Sequence, residues 1–375
     1  MPLVRKISKC LAALVLFAGL TVAAAAIRAR FLPQVDVPVL LYERVERMSA
    51  AQSAGKYTVG DDLFYAQLRD LSRRGYTTVT PDRLLAYKRW GWPLPKKPLL
   101  ITFDYAGKDL PAIAGQYLDD QDFTAVVLLS TSYINNEALK RRQILEGVEM
   151  MTWEEVRHAN ESGLFSFGGH TRSHADLTLS EDPFSDIRAS RSDIKKNLEI
   201  RTGVFSYPKG KHTPEIEKAA KHAKINFAMT YGNTVAKIGH KTNMLAIPRI
   251  RVVGGMHGFS IVATESRSET RFGAVKIRHT SGPSFSAHAT VRYGDDPRPV
   301  AQTQIADFSE ANSAELALPY PANGNAAAMF PITVEIRDST GVLLYHSVMI
   351  HKNGVVRGAI VNMDGEFNLE ELNIE

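Results

Sequence analysis

Cysteine is almost absent from this chain, since Cys10 is the only one among 375 residues. It lies inside an apolar run near the N-terminus, so the chain beyond that run contains none. This excludes disulfide bonds, a cysteine nucleophile and a thiolate metal site from that larger part. Its stability must therefore come from packing.

A cluster of positive charge is also lacking. The formal net charge is +5, and Arg5, Lys6 and Lys9 contribute three of these charges ahead of the apolar run. No Lys/Arg-rich block with interleaved aromatic residues follows, so we expect no nucleic-acid partner. With 44% hydrophobic and 23% charged residues, the composition is that of a globular protein. It excludes a disordered, a collagen-like and a polytopic membrane protein.

Residues 10–27 form an uncharged run that follows a basic stretch and ends in small residues. This pattern is typical of a secretory signal peptide. The alternative is an uncleaved membrane anchor, because the run has about the length of a short membrane span and is followed directly by Arg28 and Arg30. Residues 1–32 are thus predicted to be a signal peptide or an N-terminal anchor. Either would make the protein exported: periplasmic or on the cell surface, secreted or anchored.

Short apolar runs alternate with amphipathic segments between residues 37 and 253. This alternation predicts strands and helices in turn, and therefore a parallel sheet or barrel. Beyond residue 262 the helical periodicity disappears, and short alternating stretches predict a small antiparallel β-sandwich. The predicted domains are a barrel at 33–262, a polar linker at 263–272 and an all-β sandwich at 273–375.

Two motifs place metal-binding and acid–base side chains directly after apolar strands. Asp104 ends the segment ITFD, and His170 and His174 lie within GGHTRSH. Ligands bind at the carboxyl ends of parallel strands, and two histidines four residues apart can share one cation such as zinc. The alternatives are that Asp104 caps the next segment and that the histidines are surface residues beside a glycine turn.

Two further motifs follow later predicted strands. The sequence YPKG, which contains Tyr207, Pro208 and Gly210, predicts a rigid turn. Its backbone N–H groups and aromatic ring would suit a cleft wall or an oxyanion donor, although an ordinary turn has the same sequence. Arg249, in IPRIRV, could orient a carboxylate or face solvent.

The order of the motifs VPVLLYERV, ITFD, GGHTRSH, FSYPKG and IPRIRV resembles the NodB-homology polysaccharide deacetylases, carbohydrate esterase family 4. Within this family, the chain is most similar to the exported poly-N-acetylglucosamine deacetylases. The resemblance covers roughly residues 35–255. It implies a distorted (β/α)7 barrel that hydrolyses N-acetyl groups of amino-sugar polymers, using a divalent metal, most simply zinc, to assist attack by water.

The resemblance also implies roles for individual residues. Asp104 matches the general base, His170 and His174 match two metal ligands, and His257 is a candidate for the general acid. Tyr207 and its neighbours match the wall of the substrate groove. The residues predicted to bind the substrate are Tyr105, Tyr207, Pro208, Gly210 and Arg249.

Position 105 departs from the family pattern, because Tyr105 stands where the family has a metal-binding aspartate. A neutral phenol is a poor ligand at pH 7. Glu43 or Asp109 could supply a substitute carboxylate. The alternative function is a catalytically impaired protein on the deacetylase fold that binds carbohydrate and assists polysaccharide assembly or export.

Overall fold

The computed structural model describes most of the chain between residues 27 and 359. The described residues are 21, 27–47, 58–135, 142–232, 234–252, 258–265, 271–281, 285–293, 298–308, 313–320, 330–339, 343–352 and 355–359. None of the helices in these ranges is both long and apolar enough to cross a membrane. Nearly all of the predicted signal or anchor, and also His257, lie outside the described residues, so those interpretations stay predictions.

The chain divides into two compact units. The first comprises Met1–Leu41 and Ser72–Arg251, and the second comprises Tyr42–Leu71 and Val252–Glu375. The barrel predicted at 33–262 therefore does not coincide with one unit, because residues 42–71 group with the C-terminal part of the chain.

Seven parallel strands close into a barrel. They are β1 (Val39–Tyr42), β2 (Pro98–Phe103), β3 (Ala125–Leu129), β4 (Phe165–Gly169), β5 (Val204–Ser206), β6 (Phe227–Tyr231) and β7 (Ile247–Arg251). Each strand pairs with the next in the chain, and β7 pairs with β1. Every residue of β2 and β3 is buried, as expected for strands covered on both faces. The predicted (β/α)7 barrel is confirmed.

Helices connect the strands, and most begin at clear sequence signals. They are α1 (Asp61–Arg73), α2 (Pro81–Trp90), α3 (Leu110–Asp120), α4 (Trp153–Glu161), α5 (Pro183–Leu198) and α6 (Pro214–His222). Thr80 caps α2 and Thr213 caps α6, each followed by proline at the first helical position. At α4, Thr152 and Glu155 form a reciprocal capping box.

Short elements complete this part of the chain. Four pairings involve strands of two or three residues: Val35–Val37 with Ala236–Ile238, Arg44–Glu46 with Thr58–Gly60, Thr77–Thr78 with β2, and Ile144–Leu145 with Val148–Glu149. Single 3-10 turns lie at Thr131–Tyr133, Leu177–Leu179 and Pro208–Gly210. The hairpin of Ile144–Leu145 and Val148–Glu149 was not expected from the sequence.

The C-terminal part of the second unit is all-β, as predicted. Its strands are β8 (Gly258–Glu265), β9 (Arg271–Ser281), β10 (Phe285–Tyr293), β11 (Ala301–Phe308), β12 (Ser313–Pro319), β13 (Phe330–Asp338), β14 (Leu343–Lys352) and β15 (Val355–Ala359). They form two antiparallel sheets, in the orders β8-β9-β12 and β11-β10-β13-β14-β15. One apolar core contains side chains from both sheets, among them Val275, Leu316, Val291 and Val334. This is the arrangement of a sandwich.

The predicted linker at 263–272 is wrong at both of its ends. Ala263 to Glu265 belong to β8, and Arg271 begins its partner β9. The segment is polar because charged and small residues alternate in it, and composition alone does not separate such a strand from a linker.

An ion-pair network lies within the second unit and includes α1. The guanidinium of Arg337 on β13 pairs with Asp70 on α1, with Nη1 2.6 Å from Oδ2. Glu335 accepts from Arg337 at 2.9 Å and pairs with Arg292 at 2.6 Å. Because Glu335 is only 4% exposed, these charges need each other. The network explains in part why residues 42–71 group with the C-terminal strands.

Candidate functional site

Three of the sequence-predicted site residues converge at the carboxyl ends of the barrel strands. Asp104 directly follows β2, His170 directly follows β4, and Arg249 lies within β7. Nη1 of Arg249 is 2.7 Å from Oδ1 of Asp104, and Nη2 is 2.7 Å from Oδ2. Nε2 of His170 lies 4.0 Å from Oδ2 of the same carboxylate. All three side chains are at most 2% exposed, so they form one buried cluster.

Ser206 joins this cluster, although it was not singled out from the sequence. Its hydroxyl donates to Oδ1 of Asp104 at 3.2 Å and lies 2.6 Å from Nδ1 of His170. Nδ1 is also 3.0 Å from the carbonyl oxygen of Ser206. Since a carbonyl oxygen only accepts, this network places the ring proton on Nδ1. Nε2 of His170 therefore keeps its lone pair.

The cluster fixes the protonation states of its members. Burial raises the pKa of Asp104, but the charge of Arg249 and, after it, that of His170 and the hydrogen bonds from Arg249 and Ser206 lower it overall. Burial lowers the pKa of His170 to about 4, against the opposing charge of Asp104. At neutral pH the site therefore holds an ionised carboxylate beside a neutral imidazole.

His174 lies beside His170 at the more open side of the site. The two ring centroids are 5.1 Å apart, and the side chain of His174 is 11% exposed. Burial lowers the pKa of His174, while the charges of Glu146 and Asp104 oppose the shift. Both histidines are consequently neutral at pH 7, which is the form that binds a metal ion.

A carboxylate that the sequence analysis did not identify lies against His174. Oε1 of Glu146 is 3.7 Å from Nδ1 of His174, and the hydroxyl of Tyr105 donates to Oε2 of Glu146 at 2.5 Å. The ring of Tyr105 is 5.8 Å from that of His174, measured between centroids. Tyr105, Glu146 and His174 are therefore mutual neighbours.

Glu146 stands at the tip of the unexpected hairpin. Glu146 and Gly147 form its turn and both have positive φ, 48° and 83°. The base of the hairpin is fixed to the segment after β2, because the N–H of Met151 donates to the carbonyl of Ala106 at 2.8 Å and that of Lys108 to the carbonyl of Glu149 at 2.9 Å. The only sequence signal for this turn is a Glu-Gly pair between two short apolar stretches.

A glycine before the first histidine allows the strands to approach closely. A Cβ atom at Gly168 would lie 2.8 Å from the carbonyl oxygen of Val204 and 2.8 Å from Cδ1 of Leu128. No side chain fits at that position without a shift of backbone. The packing of β4 against β5 therefore depends on Gly168, and it brings His170 to Ser206.

Arg249 lies inside the barrel and does not face solvent, which was one of the two roles considered for it. It is 0% exposed, and besides its two bonds to Asp104 its Nη1 donates to Oγ1 of Thr102 at 3.2 Å. Its Nε–H donates to the carbonyl of Thr230 at 3.3 Å. Its nitrogen atoms all have partners inside the barrel. Arg249 therefore orients the carboxylate of Asp104, which is the other role considered for it.

The predicted cleft wall at Tyr207, Pro208 and Gly210 is largely internal. Tyr207 is 0% exposed, and its ring stacks on that of His212 with centroids 5.1 Å apart. Pro208 is buried too. The N–H of Tyr207 donates to the carbonyl of Met229 at 3.0 Å and that of Gly210 to the carbonyl of Tyr207 at 2.8 Å. These two N–H groups are thus not oxyanion donors, because the turn uses them itself.

The residues that were matched to metal ligands from the sequence alone do not make a complete set. A catalytic zinc site has three protein ligands, whereas His170 and His174 supply two imidazoles and Tyr105 supplies a phenol that donates to Glu146. In the described part of the chain, no three His, Cys, Asp or Glu side chains are already grouped to hold a metal ion. The usual three-ligand set therefore does not fit these residues as they stand.

The metal-free protein is expected to lose stability as the pH falls from about 6.5 to about 4. The pKa of His170 is lowered to about 4 in the folded state and is about 6.5 in an unfolded chain. Between these values the unfolded state binds a proton that the folded state does not, so the free energy of unfolding decreases with falling pH. Urea unfolding at pH 7, 6 and 5 measures the free energy of unfolding at each pH. In His170→Gln this free energy should depend less on pH. A pH-independent free energy would contradict the prediction.

Comparisons with known proteins agree with this fold. Residues 92–228 match the family model described as polysaccharide deacetylase. A Streptococcus pyogenes deacetylase, PplD in complex with acetate, is similar in structure, with a TM-score of 0.51 and 23% identity over 60% of this chain and 95% of that chain. No curated protein matches the chain.

Two other solved structures are similar over the same part. IcaB from Ammonifex degensii has a TM-score of 0.49 and 22% identity over 58% of this chain and 93% of that chain. A de-N-acetylase from Aggregatibacter actinomycetemcomitans has a TM-score of 0.49 and 19% identity over 58% of this chain and 94% of that chain. The resemblance drawn from the motifs is confirmed over residues 92–228, which match the polysaccharide deacetylase family model. This segment contains β2 to β5 and reaches into β6 of the seven-stranded parallel barrel.

Proposed function

We propose that this protein hydrolyses N-acetyl groups of an amino-sugar polysaccharide, releasing acetate and leaving a free amine on the polymer. The single observation that carries the proposal is the cluster at the carboxyl ends of the strands. An ionised Asp104 lies there beside a neutral His170, in a domain that matches the polysaccharide deacetylases. Proteins of this family are generally metal-dependent.

The role of Asp104 follows from its contacts. Hydrolysis of an amide requires a base that removes a proton from the attacking water. Asp104 is unprotonated at neutral pH because Arg249 compensates its charge. Arg249 and Ser206 bind its oxygens from within the barrel, and each carboxylate oxygen has two lone pairs. The one remaining lone pair, on Oδ2, can accept the proton of a water molecule.

Ser206, His170 and Asp104 are the residue types of a serine hydrolase triad, but their arrangement does not support that chemistry. Ser206 is 0% exposed and its hydroxyl donates to Asp104. A nucleophile must reach the carbonyl carbon of the substrate. We therefore assign Ser206 a positioning role: it fixes the ring of His170 and one oxygen of Asp104.

The second candidate function is a non-catalytic carbohydrate-binding protein that assists polysaccharide assembly or export. One specific observation favours it: a neutral phenol, Tyr105, occupies the position where the family pattern has a metal-binding carboxylate. For either function we propose export, by way of a signal peptide or a membrane anchor within residues 1–32, because these residues have the composition of such a segment.

The two functions are separated by measuring acetate release and binding on one preparation. The purified full chain is incubated with N-acetylglucosamine oligomers, without and with added zinc, and binding of the oligomers is measured by calorimetry. We expect acetate release that depends on zinc. Binding without any acetate release, with zinc present, would contradict the deacetylase and support the second candidate.

A further inference from the structure

We propose that the base of the barrel docks on the surface of an anionic lipid bilayer. The surface in question, the basal patch, consists of residues 27–33, 88–97 and 237–243. The proposal goes beyond the proposed function, because it concerns where the protein works and which way its site faces. It uses none of the residues that form the site.

The basal patch lies at the amino ends of the barrel strands. Residues 27–33 precede β1, residues 88–97 lead from the last turn of α2 into β2, and residues 237–243 lead into β7. Strand β1 is the parallel neighbour of both β2 and β7, so the three segments lie side by side at one end of the barrel. Asp104 and His170 follow their strands and therefore lie at the opposite end.

Close contacts join the three segments into one surface. Gly91 has a φ of 70°, and a Cβ atom there would lie 2.8 Å from Cδ1 of Leu32 and 3.7 Å from Cα of Ala29. The first two segments therefore pack together without room for a side chain at Gly91. The third segment joins them through Lys88, whose ammonium group donates to the carbonyl of His240.

Exposed apolar side chains distinguish this surface. Ile27, Phe31 and Trp92 are 57%, 83% and 53% exposed, and they are three of the six large hydrophobic side chains that are exposed in the described part of the chain. The guanidinium of Arg83 lies 5.8 Å from the centroid of the Trp92 ring and donates to the carbonyl of Pro93 at 2.6 Å, which fixes the tryptophan at the surface. Tryptophan beside basic residues is typical of the boundary between lipid and water.

The charge of the basal patch is positive throughout. Its three segments contain eight basic residues and no Asp or Glu. The eight are Arg28, Arg30, Lys88, Arg89, Lys96, Lys97, Lys237 and Lys241. One of them, Lys237, pairs with Asp36 beside the patch at 2.8 Å. No such cluster was expected from the sequence, because the charges are spread over three segments that the fold brings together.

Positive charge selects the occupant of the patch. An anionic leaflet attracts Lys and Arg near its surface, and each of them strengthens the association by about fivefold. A second copy of the chain would bring two positive patches together, and like charges disfavour that contact. At the same end of the barrel, the stretch from the end of α3 to β3 carries Asp119, Asp120 and Asp122, so the positive charge does not extend around the whole base.

The uncharged run at residues 10–27 ends within the basal patch. Ala29 follows it by two residues and is buried next to Gly91. Two residues of extended chain span at most about 7 Å, so a run held in a bilayer would keep the patch at the level of the lipid headgroups. The site at the opposite end would then face away from the bilayer and receive polymer from the aqueous side.

The test places the full chain in vesicles whose lipids carry bromine on their acyl chains, because bromine quenches the fluorescence of a tryptophan that enters the bilayer. The chain has three tryptophans, at positions 90, 92 and 153. In vesicles that contain phosphatidylglycerol we expect quenching, most of which is lost in Trp92→Phe. The matched control is Trp153→Phe, since Trp153 is buried at the start of α4, near the other end of the barrel. It should keep the quenching.

Charge variants separate docking on anionic lipid from simple proximity to a bilayer. Arg89→Gln/Lys96→Gln removes two charges of the patch and should lower the ratio of docked to undocked protein by roughly 25-fold, at fivefold per charge. Arg201→Gln/Lys224→Gln removes two charges from the connections that precede β5 and β6, at the same end of the barrel, and should leave the ratio unchanged. Trp92 quenching that is equal in vesicles with and without phosphatidylglycerol would overturn the proposal. So would quenching that both double variants reduce equally.

Docking and catalysis are measured separately, so the two proposals can fail separately. Acetate release from soluble oligomers by Arg89→Gln/Lys96→Gln should equal that of the wild type, because the changes lie at the end of the barrel opposite the site. A protein that docks but releases no acetate would refute the deacetylase function and leave the patch standing. Acetate release without any quenching of Trp92 would refute the patch and leave the function, and a concentration-dependent dimer in that case would identify a second copy as the occupant.

Discussion

Arg249→Met is expected to lower the free energy of unfolding by about 3–5 kcal/mol, the usual cost of breaking a buried ion pair by removing one partner. Arg249 and Asp104 are 0% and 2% exposed at their side chains, so solvent cannot replace the missing charge. Methionine is about as long as the stem of arginine up to Nε, so it keeps the apolar contacts of that stem. The loss therefore comes from the uncompensated carboxylate, which must become protonated or draw in water.

Urea unfolding of the full chain, followed by circular dichroism, measures this loss. Arg251→Met is the matched control two residues along the same strand, because its guanidinium lies over the ring of Tyr231 at 4.2 Å and does not pair with Asp104. We expect about 1 kcal/mol or less for it. The double variant Asp104→Asn/Arg249→Met should regain a large part of the stability, since it removes both charges. If Arg249→Met were as stable as Arg251→Met, the ion pair of Arg249 and Asp104 would contribute little to the free energy of unfolding.

The sequence predicts the barrel well because its elements are determined locally. The strands Pro98–Phe103 and Ala125–Leu129 are short continuous apolar runs, and the helix Pro81–Trp90 begins at a Thr-Pro pair. Such runs are typical of strands covered on both faces, and a Thr-Pro pair indicates where a helix begins. The end of α5 has no comparable sequence signal: Glu199, which is not a glycine, adopts a left-handed conformation, φ 60°, and ends the helix.

The site was predicted only where its residues follow strands. Asp104 and His170 were placed by that rule, whereas Glu146 was not, because it depends on a hairpin with strands of two residues each. The sequence separation between Tyr105 and Glu146 is 41 residues, and no local pattern specifies which carboxylate reaches the histidines. Glu43 and Asp109 were the carboxylates predicted from the sequence for that role. The carboxylate in contact with His174 is that of Glu146.

Asp104→Asn is expected to reduce kcat for acetate release by about 10²–10⁴-fold, the usual contribution of a general base. Asparagine has the same shape, so it can still accept a hydrogen bond from Arg249, but its amide cannot take a proton from water. Under the proposed function KM should change little, because Asp104 is 2% exposed and acts on water rather than on the sugar. A loss confined to kcat indicates an interaction made only in the transition state.

The readout must separate chemistry from folding, because this substitution would leave the charge of Arg249 uncompensated in the barrel. Acetate release is therefore measured well below the unfolding transition of the variant, and zinc affinity is measured on the same sample. Asp109→Asn serves as the control, since Asp109 precedes α3 without a side-chain capping bond and should retain full activity. An Asp104→Asn variant that stays folded, binds zinc and keeps kcat within about threefold of the wild type is incompatible with Asp104 as the base, because a general base contributes far more than that.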